Sequence, residues 1–283
     1  MNYRHIFHAG NICDIVKHVV LVLLIDHLRV KDKPFFLLDT HAGIGIYDLQ
    51  HLSALKTGEA QNGIYRLIAT KPQPLLNEYY KILHKLNPAW LPEQPDTFRY
   101  YPGSPIIARQ MMRAKDRLVL CELHIEDHYE LKRQFLEDTQ VHVHRRDGYE
   151  ALRAFLPPDE KRGLVLIDPP YEDANEFEHL VSALTASLKR WPLGQYLIWY
   201  PVKDRPAIWR FHEALAATGI QKQLSAEFIF QEEIHGDKLN GSGFILINPP
   251  WQFEEKLKQL FPLLHQALHT PHQISQIKWL IGE

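Results

Sequence analysis

Cysteine is nearly missing from the 283 residues. Cys13 and Cys121 are too few for a disulfide framework and fit a reducing compartment. Long apolar runs are missing too. The longest, Val19 to Ile25, is about a third of a membrane span. The N-terminus MNYRHIFHAGN is polar and aromatic and lacks the apolar stretch of a signal peptide. No charge of one sign dominates: 32 Lys plus Arg against 34 Asp plus Glu leave a formal net charge of -2. Any footprint for a polyanion therefore has to be local. Repeats and low-complexity tracts are absent. What remains is ordinary globular usage, 45% hydrophobic and 23% charged, which excludes a disordered or collagen-like chain. A soluble, cytoplasmic protein is expected, with no membrane partner. The length allows two domains, or one α/β domain with an insertion. Seventeen histidines predict a charge that climbs as pH falls through about 6.5.

Residues 11 to 29 read as a helix, capped by Asn11 or Asp14 and ended by Lys33-Pro34. Phe35 to Leu38 is a short, fully apolar run ending at Asp39, the pattern of a buried parallel strand. Similar runs recur at Leu118 to Cys121 before Glu122, Val141 to Arg146 before Asp147, and Leu164 to Ile167 before Asp168. Tyr196 to Tyr200, Phe228 to Phe230 and Phe244 to Ile247 follow. Helical spacing marks 126 to 137, 148 to 156, 174 to 190, 206 to 218 and 253 to 268. This alternation predicts an open, mostly parallel sheet with helices on both faces. No helix separates the last two strands, which predicts a hairpin with one antiparallel strand near the C-terminus. The gap between the first and second strands exceeds a crossover. About residues 50 to 100 are rich in Pro, Gln and Tyr, which predicts an inserted, partly helical subdomain within a domain spanning 1 to 283.

Four strand ends carry an acid, and ligands of open α/β sheets bind at carboxyl ends of strands. The plainer explanation is that acids there cap the following helices. Asp39-Thr40-His41-Ala42-Gly43-Ile44-Gly45 is a strand followed by a glycine turn. A nicotinamide site would place a third glycine where Asp48 stands, and that charge opposes a pyrophosphate. The turn suits a cofactor without phosphate, such as S-adenosylmethionine. Glu122 can accept both hydroxyls of a ribose. Asp147 with Gly148 can accept an adenine amino group at close range.

The sharpest signal is Asp168-Pro169-Pro170-Tyr171. The exocyclic amine of adenine is a poor nucleophile because its lone pair is delocalised into the ring. The Asp168 carboxylate and the Pro169 carbonyl can accept hydrogen bonds from both amine protons and localise that pair. The two prolines stiffen the loop and present acceptors only, aimed at developing positive charge. Tyr171 offers a face for a flipped base. A thiolate nucleophile, needed for cytosine-C5 chemistry, is not expected from a cysteine inside a helix or a strand. His5-x-x-His8 and His142-x-His144 lack the partner set of a metal site, so no metal is expected.

D-P-P-Y after the fourth strand resembles the motif of S-adenosylmethionine-dependent amino-methyltransferases. Further stretches resemble one family nearly end to end. They are Tyr3-Arg4-His5-x-Phe7-His8-Ala9-Gly10-Asn11, Asp14, Lys17-His18, Asp39 to Gly43, Tyr100-Tyr101-Pro102-Gly103-Ser104-Pro105, Ile167 to Tyr171, Trp199-Tyr200-Pro201 and Ile247-Asn248-Pro249-Pro250-Trp251. The family is that of the large-subunit ribosomal RNA adenine-N6 methyltransferases of the RlmJ type. The resemblance implies a Rossmann-like class I methyltransferase fold with a small helical insertion. It implies S-adenosylmethionine as cofactor and 23S ribosomal RNA as partner, adenine 2030 being the base methylated on naked or early-assembly RNA. Carried over by position, cofactor contacts fall on His18, His41, Ser104, Glu122, Asp147 and Gly148. The catalytic acceptor falls on Asp168, with Pro169 and Tyr171 beside it, and substrate contacts fall on Tyr3, Arg4 and Tyr171.

Read from residue types alone, Tyr3, Arg4, His5, His8, Lys17 and His18 mix aromatic and basic groups suited to a flipped base and a phosphate. Asn248-Pro249-Pro250-Trp251 offers the same acceptor chemistry, but it follows the last expected strand and reads as a structural strand end. Arg145-Arg146, Lys189-Arg190 and Lys203 with Arg205 and Arg210 are the best local patches for phosphates. Three rivals stand beside this reading: a DNA adenine-N6 methyltransferase, a Rossmann oxidoreductase and a non-catalytic RNA-binding relative.

Overall fold

A computed structural model describes residues 4–232 and 238–282. Tyr3 lies outside the described residues. The described strands are β1 (Phe36–Asp39), β2 (Ile46–Asp48), β3 (Tyr100–Pro102), β4 (Arg117–Cys121), β5 (Val141–His144), β6 (Gly163–Ile167), β7 (Gln195–Val202), β8 (Gln223–Ile229), β9 (Gly241–Ile247) and β10 (Ile274–Ile281). The described α-helices are α1 (Ile12–Val30), α2 (Leu52–Thr57), α3 (Ile64–Ile68), α4 (Asn77–Leu86), α5 (Ser104–Met111), α6 (Ile125–Gln134), α7 (Gly148–Phe155), α8 (Glu176–Arg190), α9 (Arg205–Ala217) and α10 (Phe253–Leu268).

Eight strands form one sheet in the order β10-β8-β9-β7-β6-β1-β4-β5, and β2 pairs with β3 in a small second sheet. The five strands from β5 to β7 are parallel. β9 runs against both β7 and β8, the reversal expected near the C-terminus. The chain leaves β1 for β4 and β5 on one side, then returns to β6 on the other. The crevice above the carboxyl ends of β1 and β6 is therefore the switch point where such sheets take ligands.

Alternation along each strand divides the interior in two. Phe35 and Leu37 belong to one cluster with α1, α3, α4, α5 and α10, and Phe36 and Leu38 to another with α7, α8 and α9. The apolar run of α1 is buried on every side, as a helix hydrophobic all round must be, with Val19, Val20, Leu21 and Ile25 fully covered. Asn11 caps it, its side chain accepting the Asp14 backbone N–H at 2.8 Å. The first turn of α1 is thereby held under the sheet's ligand-binding edge. Among the described residues no helix is long and apolar enough to cross a membrane.

Three elements differ from expectation for physical reasons. The expected strand at Phe228 to Phe230 is the end of the longer β8, whose inner positions Gln223, Ser225 and Glu227 are polar yet buried. Most of their polar atoms are paired: Gln223 Nε2 donates to the carbonyls of Leu215 and Ile220, and Glu227 accepts from Tyr200 and Arg205, while Gln223 Oε1 has no partner among the described residues. β10 is a further antiparallel strand, on the edge beside β8. Its largely exposed residues carry too little apolar alternation to announce a strand. The expected strand at 141 to 146 stops at His144, which leaves Arg145 and Arg146 in the loop before Asp147.

Not every histidine is free to charge. His265 stacks on Phe228 with ring centroids 3.8 Å apart, and its Nδ1 is 2.7 Å from the Thr270 hydroxyl. Burial pushes its pKa down to about 4. The unfolded chain takes a proton near pH 6.5 that the folded chain refuses, so stability falls as pH drops from about 6.5 to 4. His265→Leu is expected to flatten this decline by up to one proton, about 1.4 kcal/mol per pH unit. Urea unfolding at stepped pH checks this, and parallel curves for the two proteins would refute it.

Candidate active site

A cavity of about 520 Å³ opens above the carboxyl ends of β1, β4, β5 and β6 and is bounded by the start of α1. His18, His41, Ser104, Glu122, Asp147, Gly148, Asp168, Pro169 and Tyr171 all line it. The structure thus gathers every expected site residue it describes except Arg4. Arg4 is held nearby, its guanidinium 2.9 Å from Glu126 Oε2 and 2.7 Å from Asp127 Oδ1.

Asp168 directly follows β6. Its Oδ2 is 2.5 Å from Lys17 Nζ, and the same ammonium lies 3.1 Å from Asp14 Oδ1. Asp14 Oδ2 accepts the Gly10 backbone N–H at 3.0 Å and lies 2.9 Å from His5 Nε2. Lys17 and Asp14 are almost completely buried. Burial alone would raise the Asp14 pKa, but His5 and Lys17 hold it far below the usual carboxylate range. A buried ammonium is tolerated here because carboxylates surround it. Sequence reasoning placed Lys17 among basic groups facing a phosphate. The structure places it against Asp168. The available signal was the spacing of Asp14, Lys17 and His18 just before a stretch, Val19 to Ile25, that is apolar around the helix.

Tyr171 adopts a left-handed backbone, φ 53°. Its hydroxyl donates to the Trp199 carbonyl at 2.6 Å, and its ring meets Phe177 and, edge-on, Trp199. Trp199 is fixed in turn by donating Nε1–H to Ser242 at 2.8 Å, and Lys17 Nζ lies 5.9 Å from its ring centre. Trp199 lines the cavity although it was not singled out as a site residue. Among the described residues no hydrogen bond occupies the Pro169 carbonyl.

The other wall is built from the ends of β1, β4 and β5. Asp39 is fully buried, accepts from Ser104 Oγ at 2.6 Å, and is pushed up to about pKa 7 by burial, with Asp168 adding to the rise. Glu122 accepts the backbone N–H groups of Gly43 at 2.9 Å and His124 at 2.7 Å, and burial raises its pKa. Gly43, at φ 62°, holds the backbone turn that aims this N–H. Asp147 does cap a helix: its Oδ1 accepts from Tyr149 and Glu150, the first amides of α7.

His41 is deprotonated at neutral pH, pushed down to about 4 by burial. The Thr40 hydroxyl gives its proton to the Leu166 carbonyl at 3.0 Å and lies 2.8 Å from His41 Nδ1. Nδ1 must therefore be the donor, which leaves Nε2 as an acceptor. A Cβ at Gly148 would stand 2.5 Å from His41 Cε1 and 2.8 Å from the Thr40 carbonyl oxygen. His18 is buried and kept neutral by burial and by Lys17, with Nδ1 2.8 Å from the Tyr101 hydroxyl.

Neither cysteine offers a thiolate. Cys13 reaches the cavity, but burial raises its pKa and Sγ lies 3.8 Å from the Gly241 carbonyl. Burial pushes Cys121 up to about 12. The Asn248-Pro249-Pro250 stretch ends β9, whose Ile247 pairs with Tyr196 at the opposite end of the sheet. Asn248 there donates to the carbonyls of Pro192 and Gly194.

Residues 32–281 match the family described as "Ribosomal RNA large subunit methyltransferase D, RlmJ". The chain is 41% identical over 287 residues, 100% of both proteins, to "Ribosomal RNA large subunit methyltransferase J" of Escherichia coli K12. It is 41% identical over 269 residues to the Haemophilus influenzae protein of the same name, covering 95% of this chain and 94% of that one. The crystal structure of protein LPL1258 from Legionella pneumophila superposes with a TM-score of 0.86 at 33% identity, covering 96% of this chain and 98% of that one. With a family match across most of its length and relatives at this identity over nearly all of it, the chain belongs to the RlmJ family of large-subunit ribosomal RNA methyltransferases.

Proposed function

We propose that the protein methylates the N6 amine of one adenine of 23S ribosomal RNA, adenine 2030, on naked or early-assembly RNA, using S-adenosylmethionine. The observation that carries this reading is the Lys17-held Asp168 carboxylate beside the unoccupied acceptor of Pro169, at the switch point of the sheet. The cavity volume falls within the range usual for cofactor sites, and its donor set fits a nucleoside. Glu122, fixed by two backbone amides, suits a ribose diol. Asp147 and Gly148, side by side on the cavity lining, suit an adenine ring. Ser104, held by the buried Asp39, with His18 and the Nε2 of His41, offers polar groups to the amino-acid end. When bound, the cofactor supplies an electrophilic methyl group.

The residues of this chain do the rest. Tyr171 and Trp199, each fixed by a hydrogen bond, supply aromatic walls for an extruded base. Lys17 takes Asp168 Oδ2 and leaves Oδ1 to accept one amine proton. The Pro169 carbonyl accepts the other. Both acceptors are preorganised, so no solvent need rearrange as positive charge develops on the nitrogen. Tyr3 and Arg4 belong to the substrate side of this proposal, Arg4 from its anchorage on Glu126 and Asp127.

The test is transfer of labelled methyl to unmethylated 23S RNA and to adenine-methylation-free DNA, followed by nucleoside analysis. Label is expected in N6-methyladenosine of the RNA alone. Asp168→Ala is expected to slow transfer by roughly 10²–10⁴-fold. Its cofactor affinity should stay within about threefold, because Asp168 faces the amine. Label on DNA alone refutes the RNA substrate, and equal loss of transfer and cofactor binding moves Asp168 from catalysis to cofactor support. Gly148→Ala, forcing a Cβ against His41, is expected to weaken cofactor binding by about tenfold. Isothermal titration with S-adenosylmethionine checks this, and an unchanged affinity would remove the β5 end from the cofactor site.

A further inference from the structure

β7 outlasts its parallel neighbour. β6 ends at Ile167, opposite Ile198, and β7 continues through Val202 with only β9 beside it. Trp199 to Val202 therefore overhang the crevice next to Asp168. Side chains alternate along a strand. Tyr200 and Val202 enter the buried layer of α8 and α9, and Trp199, Pro201 and Lys203 line the cavity. Pro201 suits a stretch paired on one side, because it has no N–H to leave unmatched. The Trp199 indole is held along the overhang by Ser242, the residue opposite Pro201. At about 3.3 Å per residue, Lys203 stands roughly 13 Å beyond Trp199. It is exposed, so it marks the mouth of the cavity.

Charge sets Lys203 apart. Among the described residues two lysines, Lys17 and Lys203, and no arginine line the cavity. Lys17 is committed to Asp14 and Asp168. Lys203 makes no hydrogen bond or ion pair among the described residues. Asp204, next in the chain, caps α9, its Oδ1 accepting the Ala207 N–H at 3.2 Å. The acids lining the cavity have other places and partners. Glu122, Asp127 and Asp147 belong to the ends of β4 and β5 and the start of α6, while Asp173 lies 3.7 Å from His179 and Glu176 accepts from Tyr149. Of the sequence cluster Lys203, Arg205 and Arg210, Arg205 pairs with Glu227, and only Lys203 reaches the cavity. In the sheet order, β7 lies across β6 from β1, β4 and β5. Lys203 is therefore on the far side of Asp168 from the wall assigned to the cofactor.

We infer that Lys203 is a substrate-binding residue that holds the phosphate of the nucleotide whose base enters the cavity. The inference rests on the RNA reading above and gives that substrate a second point of attachment. The overhang then works as a ruler. Asp168 and Trp199 take the base at its root, and the ammonium takes the phosphate at its tip. A lysine binds phosphate as a point charge on a flexible stem. Such a contact sets register without reading sequence.

The experiment compares wild type, Lys203→Gln, Lys203→Arg and Lys33→Gln on protein-free 23S RNA over a series of salt concentrations. Isothermal titration with S-adenosylmethionine runs alongside. KM for RNA is expected to rise about fivefold in Lys203→Gln, with kcat and cofactor affinity unchanged. The slope of log KM against log salt should become shallower by about 0.7, the loss of one phosphate contact. Lys203→Arg keeps the charge and should stay within about twofold of wild type. Lys33→Gln removes one exposed charge ahead of β1, at the opposite end of the sheet, and should match wild type. Unchanged KM and slope in Lys203→Gln overturn the inference, as does a raised KM with an unchanged slope. An equal effect in Lys33→Gln overturns it too, and so does a loss of cofactor affinity in Lys203→Gln. Failure of wild type to methylate RNA at all overturns the reading on which it rests.

Discussion

One buried ammonium organises the site. Lys17 lies between Asp14, on its own helix, and Asp168, on the loop after β6. Removing the ammonium would leave the buried Asp14 carboxylate and Asp168 without the cation between them, and breaking a buried pair costs about 3–5 kcal/mol. The contact ties the N-terminal helix to the sheet edge at the point where chemistry is proposed. Asp14 is anchored from three sides, by Lys17, by His5 and by the Gly10 amide. Asp168 is thus held by a framework that itself has little freedom.

The rest of the architecture serves that contact. The all-round burial of α1 fixes the height of its first turn, and Asn11 fixes where the helix begins. The chain reversal beside β1 opens a crevice that Asp168 and Ser104 line, with Asp39 buried behind Ser104. Across it, polar atoms are engaged within the fold: Ser104 on Asp39, Gly43 and His124 on Glu122, His41 on Thr40. Farther from the cavity, Tyr200 donates to Glu227 and meets His212, which ties β7 to β8 and α9 behind the aromatic wall. These groups are ordered before any ligand arrives, the condition for preorganised catalysis.

Much of this was legible in the chain. The parallel strands β1, β4 and β6 are uninterrupted apolar runs ending in an acid, a pattern dictated by burial on both faces. The D-P-P-Y loop carries its chemistry in its residue types, and the cavity is lined by the residues that reasoning selected around it. β8 was largely hidden, because Gln223, Ser225 and Glu227 are buried polar residues with internal hydrogen bonds, and their burial leaves no apolar pattern. β10 was hidden for the opposite reason, being an exposed edge. The role of Lys17 was not legible, since its partner lies 151 residues away in the chain. Arg4 was legible as a cation but not as one already paired with α6.

The most direct test of this account is the single-turnover methyl-transfer rate of Lys17→Met on 23S RNA, at saturating RNA and cofactor. If the ammonium holds Asp168 as an acceptor, the rate falls by at least about 10²-fold while cofactor affinity changes by no more than about threefold. A folded Lys17→Met protein that transfers methyl at the wild-type rate would contradict the account, because Asp168 would then need no support from α1.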